Sequence, residues 1–208
     1  MFTPMQDAPA RTDTLSPSDL GGAKALAGDS PGDDEETAKA RGRIIHLLLE
    51  HLPNVDPRDR PGYGREIVHS DSDVALVADT LELPQQVADL LDRPELAEIF
   101  AKDGFSEVSV TAELSELGGR RIHGAIDRLI VGDRTVRVID FKSNKNVPSQ
   151  PQETPEGILR QMGAYCAALH KIYPEHVIEP AILWVSTGKL MELPVKLTID
   201  ALRRVGAS

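Results

Sequence analysis

Three β-rich stretches follow one another between residues 105 and 142: FSEVSVTAEL, RIHGAIDRLIV and TVRVIDFK. Apolar and polar residues alternate along them, the period of a strand with one buried face. Gly118–Gly119 and Gly132–Asp133 separate them, and these residue types take the backbone conformations that tight turns need. Strands joined so briefly pair as antiparallel neighbours. The chain must therefore fold around a meander, and its remaining segments must cover the faces of that sheet.

Those segments read mainly as helices. TAKARGRIIHLLLEHL, residues 37–52, repeats Ile44, Ile45, Leu48, Leu49 and Leu52 at helical spacing and stops at Pro53. Residues 57–100 read as helical with breaks at Pro61, Pro84 and Pro94. After a Pro-rich loop, Thr154 is expected to cap a helix with Pro155 at its first position, running to about Tyr173. Ile158, Met162, Tyr165, Leu169 and Ile172 form its apolar stripe. VIEPAILWVST and LMEL read as two more strands, and TIDALRRV as a terminal helix. The expected class is α/β or α+β: a mixed sheet flanked by helices, with a helical part at 36–104 and a sheet core at 105–208. Residues 1–35, rich in Pro, Gly, Ser, Asp and Ala, are expected to form a disordered acidic linker.

Composition excludes several classes. Cys166 is the only cysteine, so the chain holds no internal disulfide and no four-cysteine zinc or iron–sulfur site of its own. No apolar run approaches the roughly 18 residues of a membrane span, and the N-terminus lacks a signal-peptide pattern. A reducing, cytoplasmic setting fits. The net charge of -10 argues against a generally basic nucleic-acid binder. The charge is uneven, however: residues 120–146 carry seven bases (Arg120, Arg121, Arg128, Arg134, Arg137, Lys142, Lys145) against three acids. Such a patch suits phosphate handling, although a solvated sheet face accounts for the same residues.

The chemistry concentrates at Asp127 and at VIDFKSN, residues 138–144. Alternation puts Asp140 and Lys142 on one face of their strand, and Asp127 on a face with Ala125 and Leu129. The turn at 132–133 lets Asp127 meet Asp140 across the pair. Opposed carboxylates are unfavourable unless neutralised, and a divalent cation with a preference for oxygen ligands does so. The alternative is two surface acids with a lysine counter-ion. His46 lies in an apolar helix, where a lone histidine is more often a core residue than a ligand. His46 and His51 are five apart, not the four of a zinc-protease motif. Gln161 and Tyr165 are neighbours on one helix face, and Glu107 stands in the first strand.

RGRIIH, SEV, GAIDRL, IDFKSN and QMGAY, in this order, resemble the RecB-type branch of the PD-(D/E)xK nucleases, and within it the C-terminal nuclease domain of bacterial AddA helicase–nucleases. SPSDL at 16–20 resembles the entry segment of that family, and the likeness spans residues 15 to about 195. It implies a restriction-endonuclease-like core and a metal-dependent DNA exonuclease of double-strand break repair. Mg²⁺ or Mn²⁺ would be held by His46, Asp127, Asp140 and the Phe141 carbonyl. Lys142 would be catalytic, supported by Gln161 and Tyr165, with Glu107 auxiliary. Arg121, Arg128 and Lys145 would contact DNA. Implied partners are DNA, an AddB-like subunit and the helicase part of AddA, with no membrane and a nucleoid-associated place in the cytoplasm. The sequence has no G-x-x-x-x-G-K-[ST] phosphate loop of its own. Its acidic start is accordingly expected to be a linker from a longer protein, with Met1 not the natural start.

Overall fold

The computed structural model of the protein describes residues 14–26, 35–72 and 74–206. Five strands form one sheet in sequence order: β1 (Phe105–Leu114), β2 (Arg120–Val131), β3 (Thr135–Lys142), β4 (Val177–Trp184) and β5 (Lys189–Glu192). β1, β2 and β3 form the expected antiparallel meander. β3 and β4 run parallel, which requires a crossover; a helix, Glu156–Ile172, makes it. The sheet is therefore mixed.

Helices cover both faces. α1 (Glu35–His51), α2 (Arg60–Ser70) and α3 (Leu83–Leu91) lie on one side; α4 (Glu156–Ile172) and α5 (Val195–Gly206) lie on the other. Alternation divides β3 and β4 between the two cores. Val136, Val138, Ile178, Ile182 and Trp184 pack with α4. Ile139, Phe141, Ala181 and Leu183 pack with Ile44, Ile45, Leu48 and Leu49 of α1. Apolar residues on both faces are what a doubly covered sheet requires. At Gly163 an added Cβ would stand 2.3 Å from the Thr198 backbone oxygen, so glycine permits the close approach of α4 and α5. No helix among the described residues is long and apolar enough to cross a membrane.

Two expectations are corrected. Thr154 does not cap α4. It ends the 3-10 turn Pro151–Glu153, its hydroxyl donates to Met191 Sδ at 3.7 Å, and Pro155 is the residue that precedes the helix. Residues 14–26 are not a free linker. The Leu15 amide donates to the Arg121 carbonyl at 2.8 Å, and the His123 amide donates to the Leu15 carbonyl at 2.9 Å. Leu20 is buried against the sheet core. The physical reason is an open strand edge: the β2–β3 ladder ends at Arg128↔Ile139, leaving backbone groups of β2 that need partners. Residues 1–13 and 27–34 of the expected linker lie outside the described residues.

Candidate active site

The site forms where β2 and β3 separate. One further step of their register would set Asp127 against Asp140. Instead, the Phe141 amide donates to Asp127 Oδ2 at 2.6 Å. A carboxylate of one strand thus replaces a backbone carbonyl as acceptor for the next.

The β1–β2 ladder is also disturbed. It passes from Ser106↔Arg128 to Val108↔Ile126, leaving Glu107 and Asp127 out of the pairing. Glu107 has φ of 51°, a left-handed conformation uncommon for a residue with a side chain and one that costs roughly 1–3 kcal/mol. Ile122, Ile126 and Leu129 share one core, whereas Ala125 is exposed. The alternation therefore changes phase between Asp127 and Leu129: Asp127 meets His46 of α1 whereas Leu129 packs in the α4 core, and the expected common face of Asp127 with Leu129 is corrected.

His46, reaching down from α1, meets both acids. Its Nδ1 lies 3.4 Å from Asp127 Oδ1, and its Nε2 is 3.1 Å from the Phe141 carbonyl oxygen. Ligand atoms of His46, Glu107 and Asp127 all fall within 4.8 Å of one another. Burial works to lower the His46 pKa; the Asp127 hydrogen bond and the charges of Asp127 and Asp140 outweigh it and raise it. Burial, then Asp127 and Glu50, push the Glu107 carboxyl above its ordinary value. A carboxyl that resists ionisation beside its acidic neighbours is the electrostatic mark of a site that a cation relieves.

Asp140 and Lys142 face α4. Lys142 Nζ stands 2.5 Å from Asp140 Oδ2 and donates to Gln161 Oε1 at 3.3 Å, while Gln161 Nε2 donates to Asp140 Oδ1 at 2.7 Å. One glutamine thus orients both the acid and the amine. The Tyr165 hydroxyl donates to the Ala125 carbonyl at 2.6 Å and lies 3.5 Å from Gln161 Nε2. Burial pushes the Asp140 carboxyl up, with Lys142 opposing. Burial alone would lower Lys142, but Asp140 and Asp127 outweigh it and hold the ammonium above its usual value. Asp140 Oδ2 is buried with the Lys142 ammonium against it. A His–Glu–Asp trio, next to a buried carboxylate and a backbone carbonyl turned toward His46, offers the nitrogen and oxygen donors that a hard divalent cation takes.

The trio opens into a cleft of about 850 Å³ between α1 and the ends of β1–β3. Of the expected site residues, His46, Glu107, Asp127 and Lys142 line the cleft, while Asp140 pairs with Lys142 and Gln161 on the α4 side, where Tyr165 also stands. The expected DNA contacts do not all gather. Arg128 is corrected: it is 4% exposed, and its guanidinium donates to the Ile99 carbonyl at 2.7 Å, to Ser106 Oγ at 2.9 Å and to the Ala101 carbonyl. Arg121 is exposed and pairs with Glu113 at 3.4 Å. It stands roughly 20 Å along β2 from Asp127 at strand rise. Lys145 is exposed, one residue beyond the cleft-lining Asn144. Sequence reasoning missed Lys24, Lys39, Arg43 and Asn144, which line the cleft. Helical spacing back from His46 points to Arg43 and Lys39; Lys24 has no such signal.

The PD-(D/E)XK nuclease superfamily matches residues 20–193, most of the chain. The chain belongs to this superfamily. The five-stranded mixed sheet between helices is the fold of a PD-(D/E)XK nuclease. A crystal structure from Eubacterium rectale, provisionally titled an exonuclease, is similar over 85% of this chain with a TM-score of 0.56 and 14% identity. The match covers 66% of that structure, just under two thirds, and at this identity it speaks to fold alone. A structure titled SSO0001 aligns over 76% of this chain and 73% of its own at 16% identity, with a TM-score of 0.34 too low to carry an argument. No curated protein matches the sequence. The end of β3 carries an acid–x–lysine sequence, Asp140-Phe141-Lys142.

Proposed function

We propose that this PD-(D/E)XK chain is a metal-dependent DNA nuclease that hydrolyses phosphodiester bonds. The observation that carries the reading is the convergence of His46, Glu107 and Asp127 beside the buried Asp140–Lys142 pair. His46, Asp127, Asp140 and the Phe141 carbonyl would hold Mg²⁺ or Mn²⁺, with Glu107 completing the set. Bound there, the ion lowers the pKa of water and offsets charge on the phosphoryl oxygens.

The protein's own groups do the rest. Lys142, held protonated by its acidic neighbours, lies beside Asp140 and stabilises negative charge as it grows on the attacked phosphate. Gln161 fixes Lys142 relative to Asp140 through one amide. Tyr165, anchored on the Ala125 carbonyl, keeps α4 in register with β2 beneath the site. The open cleft admits a polymer, not only a small ester.

The order of motifs supports a finer assignment: the exonuclease module of an AddAB/RecBCD-like helicase–nuclease in double-strand break repair. Its partners would be single-stranded ends or unwound DNA, the helicase part of AddA and an AddB-like subunit, in the bacterial cytoplasm. A helicase reading frame fused to or adjoining this one tests that role; an unrelated neighbourhood counts against it.

The activity test needs neither helicase nor ATP. Single-stranded DNA incubated with the chain and Mn²⁺ is expected to be cut, and chelator is expected to stop the cutting. Lys142→Ala should slow it on the order of 10²–10³-fold. Binding without cutting in any metal would establish an idle scaffold instead.

A further inference from the structure

The cleft is electrically divided along α1. Lys39, Arg43, His46 and Glu50 recur every three or four residues, so they share one helix face, and all line the cleft. At 1.5 Å per residue, Lys39 stands about 10 Å along the axis from His46. On the C-terminal side, Glu50 adds negative charge to the acids of the trio and raises Glu107 further. On the N-terminal side, Lys39 and Arg43 are exposed cations, and Lys24 enters from the segment that packs on β2.

This N-terminal side is built, not incidental. Arg43 is held by Asp71 at 2.5 Å, which fixes its guanidinium while leaving its side chain 45% exposed. The Lys24 backbone is tied to the sheet: Asn144 Nδ2 donates to its carbonyl at 3.2 Å. At Gly42 a Cβ would lie 3.3 Å from Ser143 Oγ, so glycine lets α1 close onto the end of β3. Helix, strand end and N-terminal segment thus form one continuous wall with cations along it.

We propose that the nucleic-acid strand leaves the metal-binding trio toward the N-terminal half of α1, its phosphates following Arg43, Lys39 and Lys24. This rests on the nuclease reading above and names the track that feeds the same site. It also replaces the strand-borne patch at 120–137, whose Arg128 is buried and whose Arg121 lies far along β2. In a chain of net charge -10, a local track of this kind is the means by which a polyanion finds the site.

The test is the salt dependence of binding. A short fluorescein-labelled single-stranded oligonucleotide is titrated by anisotropy in Mg²⁺ at several salt concentrations, in a Lys142→Ala background that slows cutting below the time of the titration. Each lost phosphate contact should make the log–log slope shallower by about 0.7. Lys39→Ala, which leaves the Arg43–Asp71 pair intact, should show one such step, and Lys39→Ala with Arg43→Ala should show two. Arg121→Ala should match the background protein. Circular dichroism establishes that each variant is folded. Unchanged slopes in the folded Lys39 and Arg43 variants, or an equal loss in Arg121→Ala, overturn the track. If the parent cuts DNA and these slopes stay unchanged, only the track falls. If the parent neither binds nor cuts DNA, the nuclease reading falls and takes the track with it.

Discussion

Asp127 accepts the Phe141 amide at 2.6 Å, so the acid of one strand is fastened to the backbone just after the acid of the next. This bond holds the two carboxylates at the fork of the sheet despite their repulsion. A cation bound between them should therefore stabilise the whole fold. At 100 times its dissociation constant, a ligand specific to the native state adds about 2.7 kcal/mol, worth several degrees of Tm in a domain of this size. Thermal melts in Mn²⁺ against chelator should show that rise. Asp127→Ala should abolish it; if that variant keeps the full shift, the ion binds elsewhere.

Gln161 touches Asp140 with its amide nitrogen and Lys142 with its oxygen. Gln161→Glu replaces the donor with an acceptor 2.7 Å from a buried carboxylate oxygen. It should cut activity more severely than Gln161→Ala, which removes the orienting group without adding charge. The comparison is made on kcat with single-stranded DNA. Equal losses would mean that the amide's two-sided bonding does not matter.

Arg128 is expected to act on stability, not on DNA. Its three donors satisfy two backbone carbonyls and one hydroxyl. Arg128→Ala strands those acceptors and should cost roughly 3 kcal/mol. Urea unfolding should show the loss, while the salt slope of oligonucleotide binding by the remaining folded protein stays that of the parent.

Cys166 is buried in the α4 core, and burial pushes its thiol up to about 12. Only the thiolate attacks disulfide reagents, so labelling should be slow in native buffer and fast in denaturant. As the only cysteine it gives a clean signal. Rapid native labelling would show that α4 opens on its own.

Most of the candidate site was legible because its residues sit in strong local patterns. The helix of His46 is read from Ile44, Ile45, Leu48 and Leu49, all buried as that spacing requires. The strand of Asp140 and Lys142 is read from Val136 and Val138, buried on the same face. The failures share a cause as well. Leu129 was placed with Asp127 by an ideal alternation that the break at Glu107 and Asp127 interrupts. Arg128 was counted as surface charge because composition does not register the carbonyls of Ile99 and Ala101, which are distant in sequence. Residues 14–26 carry no periodic signal, since they are held by scattered contacts: Leu15 to the β2 backbone, Leu20 in the sheet core and the Ala23 carbonyl to the Gly157 amide of α4.

By itself, the sequence determined the order and type of the elements, the antiparallel meander and the presence of an acid–x–lysine strand end. These follow from hydrophobic period and turn chemistry, which act over a few residues. The tertiary structure alone decided where β2 parts from β3, that Glu107 turns through a left-handed backbone to face His46, and which cations line the cleft. Those outcomes depend on which distant backbone groups and charges must satisfy one another once the layers are packed.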